Sequence, residues 1–396
     1  MNIKNIFMVT IGTALFFSAC SKEETMKSLI ESRLTQAADS YVLMAESLLG
    51  EPDKLPRTFE NGKLVTSNSG WWCSGFTPGV LWYLYQHTGD GKFLNYARNY
   101  TSRVTKEQFN TGTHDLGFML YCSFGNGFRL TSDEEYRAVM LRGAESLITR
   151  FNPLIGCIQS WGSNAKWQFP VIIDNMMNLE FLMWAYKTTG DAKYRDICIS
   201  HADRTIQNHF RPDYSSYHVV SYDTITGQPE KKNTGQGFSD ASAWARGQAW
   251  GLYGFTMLYR ETKEPRYLEQ AKHIADFIIN HPNLPADGIP YWDFNAPDIP
   301  DAERDASAGA IICSALIELS GLVKVADKDL ANKYLSIAEK QLRSLSSPAY
   351  FAEQGTNGNF ILKHSVGSLP GNSEVDVPLT YADYYYIEAL LRYSAL

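Results

Sequence analysis

Three short runs concentrate the side chains able to do chemistry: Thr113-His114-Asp115, Ile173-Asp174-Asn175 and Trp244-Ala245-Arg246-Gly247-Gln248-Ala249-Trp250. Two carboxylates at one site can do general acid–base work on a glycoside. Burial or mutual repulsion raises the pKa of one of them, which then keeps a proton at working pH and serves as the acid. Arg246 and Trp250 lie four residues apart and so share a helix face. Together they can offer a cation and a flat platform, since indole faces stack on sugar C–H surfaces and guanidinium forks onto carboxylate or sulfate. Taken singly, each residue has a plainer reading. Asp115 and Asp174 can be helix N-caps, His114 a hydrogen-bonded structural histidine, Trp244 and Trp250 core, and Arg246 a surface charge. The functional reading rests on their common position at the starts of successive helices.

Those helices come from a repeated pair. An apolar helix, a short polar turn and an amphipathic helix recur along the chain. The turns have similar composition, as in Thr88-Gly89-Asp90-Gly91-Lys92-Phe93 and Thr189-Gly190-Asp191-Ala192-Lys193-Tyr194, with weaker copies beginning at Ser132, Thr262 and Asp327. Glycine suits the end of the first helix and Asp the cap of the second. The amphipathic members, near residues 26–49, 92–105, 133–150, 191–209, 265–281 and 328–346, read as outward-facing. The apolar members, near 76–88, 115–124, 174–188, 244–261, 307–322 and 381–393, read as buried. Six outer and six inner helices predict an all-α (α/α)6 barrel in one domain; an open solenoid of pairs is the alternative. Closure is preferred because no terminal pair reads as a polar cap. In a closed barrel the inner N-termini share one mouth. Trp71-Trp72, His114-Asp115, Asp174-Asn175, Trp244 to Trp250, Asp305, and Asn372 to Asp376 would then surround a funnel whose helix dipoles favour an anionic ligand such as a sugar acid.

Composition agrees with a folded chain that has a buried core. The 396 residues are 44% hydrophobic and 20% charged, which excludes a disordered chain. The balance of 36 Lys+Arg against 43 Asp+Glu argues against a nucleic-acid partner. At the N-terminus, Lys4 precedes an apolar stretch from Ile6 to Phe17 and then Ser18-Ala19-Cys20. That stretch is too short to span a bilayer and reads as a lipoprotein signal over residues 1–19. Cys20 is then the lipidated residue, 20–26 a stalk and 27–396 the catalytic domain. The expected location is the periplasm or cell surface, with membrane attachment only through the lipid. The other five cysteines, Cys73, Cys122, Cys157, Cys198 and Cys313, form no CxxC motif or zinc-like spacing. They read as small core residues.

The runs Thr113-His114-Asp115-Leu116-Gly117-Phe118-Met119, Ile173-Asp174-Asn175-Met176-Met177-Asn178 and Trp244 to Trp250 together resemble the unsaturated glucuronyl hydrolases, glycoside hydrolase family 88. The resemblance runs from about Trp71 to the C-terminus, with the motifs in family order, and it implies an (α/α)6 barrel. It also implies hydrolysis by hydration of the 4,5-unsaturated uronic acid that polysaccharide lyases leave at the non-reducing end. By motif match Asp174 would be the general acid/base and Asp115 the second carboxylate. His114, His218, Gln236, Trp244, Arg246 and Trp250 would be substrate contacts, with Trp71 or Trp72, and Trp161, as further walls. No metal or organic cofactor is implied. Unsaturated di- or oligosaccharides from chondroitin, hyaluronan or heparin are the expected substrates; Lys166 and Arg211 lie in loops that could meet sulfate, though they read first as solvated surface charges. Rival readings are an unsaturated rhamnogalacturonyl hydrolase on pectin fragments, a sugar epimerase, and a non-catalytic glycan-binding lipoprotein.

Overall fold

The structure is a computed structural model that describes residues 24–396. The segment read as a signal, with Cys20, lies outside the described residues. The chain runs α1 (Met26–Ser47), β1 (Leu55–Glu60), β2 (Lys63–Ser67), α2 (Phe76–Thr88), α3 (Gly91–Ser102), a π-helical segment (Gly117–Gly125) continuing into α4 (Asn126–Thr131), and α5 (Glu134–Ile148). Three short strands follow, β3 (Phe151–Asn152), β4 (Cys157–Ile158) and β5 (Pro170–Ile172), and then α6 (Asn175–Thr189) and α7 (Ala192–His209). The second half holds β6 (Val219–Tyr222), β7 (Pro229–Asn233), α8 (Ala245–Thr262), α9 (Pro265–Asn280), α10 (Ala306–Val323), α11 (Lys328–Leu345), β8 (Ser365–Ser368), β9 (Ser373–Val377) and α12 (Thr380–Ser394).

The turn chemistry read from the sequence builds the helix pairs. Asp90, Asp133, Asp191 and Asp327 each accept a backbone N–H from the first turn of an outer helix. Gly89 (φ 67°) and Gly190 (φ 74°) close the preceding inner helices in the left-handed region. In the weaker copies Ser132 and Lys263 occupy the same left-handed position without glycine's freedom.

The inner helices α2, the π-segment with α4, α6, α8, α10 and α12 pack successively, and α12 returns onto α2. The ring is therefore closed and the open solenoid is excluded. α10 is long and apolar enough to cross a membrane by length and composition, but it is the fifth inner helix and its faces are covered by neighbours. The five described cysteines are all buried and unpaired. Glycine lets the inner helices approach closely: a Cβ on Gly117 would lie 2.7 Å from Asn178 Cα, and one on Gly254 2.5 Å from Met176 Cβ. At one end of the ring Arg260 bonds Glu180, Glu261 and Glu318, and Arg392 bonds Glu318 and Glu388, tying α6, α8, α10 and α12 together. At the other end the small antiparallel sheets β1–β2, β5–β6–β7 and β8–β9 lie in the connections leading to inner-helix N-termini.

Between the two ends sits an aromatic layer. Phe118 packs on Trp72, Phe76 and Trp250 with ring centroids 5.2–5.5 Å apart, and Tyr381 and Tyr385 extend the cluster. These tilted and edge-on contacts make a rigid floor. The residues above it have a fixed base.

Candidate active site

A cavity of about 240 Å³ opens above that floor. It is lined by Trp72, Gly112, Thr113, His114, Asp115, Ser160, Trp161, Ile172, Asp174, Gln236 and Arg246. The helix-start rule thus brings Asp115, Asp174, His114 and Arg246 together, with Trp72 and Trp161 as walls. His218, Trp244 and Trp250 lie behind them.

Asp174 occupies the N-cap position of α6, yet its side chain makes no capping hydrogen bond. The plain N-cap reading therefore fails for Asp174, and the carboxylate is turned to another use. It is 8% exposed, and Oδ2 has no hydrogen-bond partner. Burial pushes its pKa up to about 7, against the opposing pull of Arg246, with the repulsion of Asp115 adding to the rise. The Trp250 indole nitrogen also favours the charged form, although it makes no hydrogen bond of ordinary geometry. Asp174 is thus a proton carrier poised at neutral pH, the property general acid–base catalysis requires.

Asp115 is held differently. Thr113 Oγ1 donates to its Oδ2 at 2.5 Å, and His114 Nε2 lies 3.2 Å from Oδ1. Burial lowers the His114 pKa against the pull of Asp115. The π-helical segment begins just beyond, at Gly117, and Phe118 N donates to Asn178 Oδ1 across to α6. A π-turn shifts the register of the side chains that follow it. Here it follows one carboxylate and is bonded to the helix that carries the other.

His218, carried just before β6, faces Asp174: its Nε2 stands 3.7 Å from Oδ2, and neither atom has a hydrogen-bond partner. Its Nδ1 accepts the backbone N–H groups of Gly235 and Gln236 at 3.0 and 3.1 Å. Two donors on Nδ1 leave no room for a proton there, so the neutral ring carries its hydrogen on Nε2, toward the carboxylate. Burial together with Arg246 drives the His218 pKa down to about 3, and the ring stays neutral across the physiological range. A neutral N–H donor beside Asp174 stabilises the carboxylate that forms once its proton leaves. Replacing His218 with leucine is expected to lower kcat/KM by roughly 10–100-fold. Glutamine, which keeps a donor, should recover part of that loss in the same steady-state assay.

Several residues expected as sugar contacts do other work. Arg246 is 1% exposed. Its guanidinium bonds Asp305 at 3.1 Å and the carbonyls of Val366 and Gly367, and it packs 4.6 Å from the Trp244 ring. Its fork is committed to the β8 backbone, so it reaches the cavity as a fixed charge and not as a free clamp. Gln236 lines the cavity and donates to the same Gly367 carbonyl. Trp250 is fully buried against Phe118 and Tyr385, so it serves as floor and presents no face to a sugar. Trp244 is also buried and packs on His218 at 4.5 Å. Trp71 stacks under Arg57, outside the cavity. Asn372 to Asp376 form the β8–β9 turn and β9, where Glu374 pairs with Arg57 and Asp376 with His364. Arg211 bonds Ser215 and the Ser216 and Asp240 carbonyls.

The sequence reading missed Ser160. It lies in the connection between α5 and α6, bonds Ile172 N through Oγ and His114 N through its carbonyl, and lines the cavity. A lone serine in a loop carries no signal of its own. Thr113 could have been found, since a threonine two residues before an Asp is placed to bond it.

A profile of Glycosyl Hydrolase Family 88 matches residues 52–394. A Formosa agariphila protein named unsaturated glucuronyl hydrolase is 44% identical, with 98% of each chain covered. A Streptococcus pneumoniae protein named unsaturated chondroitin disaccharide hydrolase is 37% identical, covering 92% of this chain and 93% of its own. Among solved structures, an unsaturated glucuronyl hydrolase specific for heparin superposes with a TM-score of 0.89 at 48% identity, over 93% of this chain and 97% of that one. With the closed barrel, the poised carboxylate and the full-length match in agreement, this chain belongs to glycosyl hydrolase family 88.

Proposed function

We propose that the chain removes the 4,5-unsaturated uronic acid from the non-reducing end of lyase-generated glycosaminoglycan oligosaccharides, with Asp174 as the acid and base. The observation that carries this reading is the buried Asp174 carboxyl, whose Oδ2 has no hydrogen-bond partner and whose pKa burial pushes up to about 7, in a cavity walled by Trp72 and Trp161. A 4,5-unsaturated uronate is a vinyl ether, electron-rich at C4. Asp174 gives its proton to C4, and the resulting cation at C5 is stabilised by the ring oxygen. The ionised Asp174 then takes a proton from water as that water's oxygen bonds to C5. The hemiketal so formed opens at the bond between C5 and the ring oxygen, and the hemiacetal left at C1 releases the shortened saccharide. One water is consumed, and Asp174 ends protonated as it began.

Asp115, fixed by Thr113 and His114, holds the sugar beside Asp174, and its charge helps to keep Asp174 protonated. Relatives named for chondroitin disaccharide and heparin support a glycosaminoglycan fragment as substrate. The N-terminal apolar stretch ending in Ser18-Ala19-Cys20 supports export and lipid anchoring of the chain outside the cytoplasm.

The test follows ultraviolet absorbance of the conjugated double bond in unsaturated chondroitin, heparin and pectin disaccharides. Loss of absorbance on either of the first two, with one deuterium placed at C4 at early times in D2O, is the expected result. Turnover of pectin disaccharides alone would assign the chain to the rhamnogalacturonyl reaction. Binding without any turnover would leave a glycan-binding protein.

The pH dependence has a defined sign. The acid must be protonated to start the reaction, so kcat/KM is expected to fall as pH rises through about 7. His218, with its pKa near 3, adds no limb between pH 5 and 8. A kcat/KM profile between pH 5 and 9 checks both points.

A further inference from the structure

The wall of the cavity continues outward into a cationic edge. Trp161 lines the cavity, and Trp167 meets it edge-on at 5.3 Å. The Lys166 ammonium lies 4.4 Å from the centre of the Trp167 ring. The segment bearing them is fixed in place. Asn164 Oδ1 accepts the N–H groups of Lys166 and Trp167, Asn164 N donates to the Trp167 carbonyl, and Ser163 Oγ donates to the Gln168 carbonyl. It is also laced to β7. Trp167 Nε1 donates to Asn233, Gln168 to Glu230, and Lys231 Nζ to the Lys166 carbonyl.

Of the cations around this mouth, Arg246 is paired with Asp305 and Arg57 with Glu374. Lys166 is exposed and, like Arg150, Lys231 and Lys232 nearby, is in no ion pair among the described residues; it alone of these lies over the Trp167 ring that meets Trp161. Its charge acts on His218 behind the cavity wall, as a small part of what lowers that ring's pKa. A saccharide whose unsaturated ring sits at Asp174 must extend its next unit out of the mouth.

Building on the proposed hydrolysis, we infer that Lys166, presented by the Trp161–Trp167 edge, is a specificity residue that contacts an anionic substituent, a sulfate ester or N-sulfate, on the sugar unit attached to the unsaturated uronate. Trp161 and Trp167 offer that unit an apolar surface, and the ammonium meets its anion at an exposed site. The effect is accordingly modest and sensitive to salt.

The test compares kcat and KM on matched unsaturated disaccharides with and without a sulfate on the hexosamine, for the wild type, Lys166→Gln, Lys166→Glu and Lys166→Arg. Lys166→Gln is expected to raise KM for the sulfated substrate about three- to five-fold, leaving kcat and the unsulfated substrate unchanged. Lys166→Glu should raise it further, Lys166→Arg should retain wild-type values, and 0.5 M salt should erase the difference. Equal changes on both substrates, or none on either, would overturn the assignment. The wild-type rows test the hydrolysis separately: failure to turn over any of the disaccharides would remove that reading and this one with it, whereas turnover without a sulfate-dependent effect removes only this one.

Discussion

Asparagine in place of Asp174 is expected to lower kcat by about 10³-fold or more while leaving substrate binding largely intact. The amide matches the carboxyl in shape but can neither give a proton to C4 nor take one from water. The same substitution should stabilise the protein at alkaline pH. The folded-state pKa of Asp174 is raised to about 7 by burial, whereas an unfolded Asp titrates near ~3.9. Between those values the native state binds more protons than the unfolded state, so the wild type loses stability as pH rises through that window. The full shift corresponds to an upper bound of about 4 kcal/mol above pH 7. The variant has no charge to bury and escapes that cost. Denaturant unfolding at pH 4.5 and pH 8 checks it: the two proteins should converge at the lower pH, with Asp174→Asn the more stable at the higher. Asp383, also raised to about 7 by burial, contributes its own slope to both proteins and cancels in the comparison. An inactive variant less stable than wild type at pH 8 would mean that the site had collapsed, and it would remove the inference about proton transfer.

Much of this arrangement is legible in the chain because local chemistry and global fold agree. Each strong Gly-Asp turn sets one left-handed stop and one N-cap, and six helix pairs can close only by bringing the inner N-termini to one mouth. That logic brings Asp115, Asp174 and His114 to one cavity. It does not distinguish Asp305, which caps Ser307 N in the ordinary way, from Asp174, which has the same position and makes no cap. The difference comes from burial against Trp250 and Arg246, which the local sequence around Asp174 does not encode. The roles of Arg246 and Gln236 were hidden for a related reason. Both end on the Gly367 carbonyl, and a backbone acceptor some 120 residues away has no side-chain signature. Trp250 has the composition of a sugar platform, but its neighbours Phe118 and Tyr385 bury it completely. Helix-pair periodicity is also silent about the small sheets at the mouth, whose strands are mostly too short to show alternation.

Asp305→Ala should cost about 3–5 kcal/mol of stability and most of the activity. Asp305 is fully buried and serves three partners at once, Ser307, Arg246 and the Val366 N–H. Oδ1 caps α10 through Ser307 N at 3.0 Å and accepts Ser307 Oγ, while Oδ2 meets Arg246 at 3.1 Å. Without it the guanidinium stays buried with no paired carboxylate, held by the Val366 and Gly367 carbonyls and the Trp244 ring, and a buried charge that loses its ion-pair partner is the expensive case. Loss of the cap adds about 1 kcal/mol. The functional consequence follows from the geometry, because Arg246 ties β8 to α8 beside the cavity and lowers the Asp174 pKa. Without Asp305 the buried Arg246 has one anion fewer to answer its charge and holds Asp174 further down, so the surviving activity should show its alkaline limb displaced to lower pH. Asp305→Asn keeps the cap acceptor and a neutral partner for Arg246, and should fall between the two. Pairing Asp305→Ala with Arg246→Met removes the orphaned charge, so the double variant should be less destabilised than the sum of the singles. Unfolding curves on the four proteins decide the matter: additivity, or a cost below about 1 kcal/mol for Asp305→Ala, would show that the ion pair does not hold the mouth together.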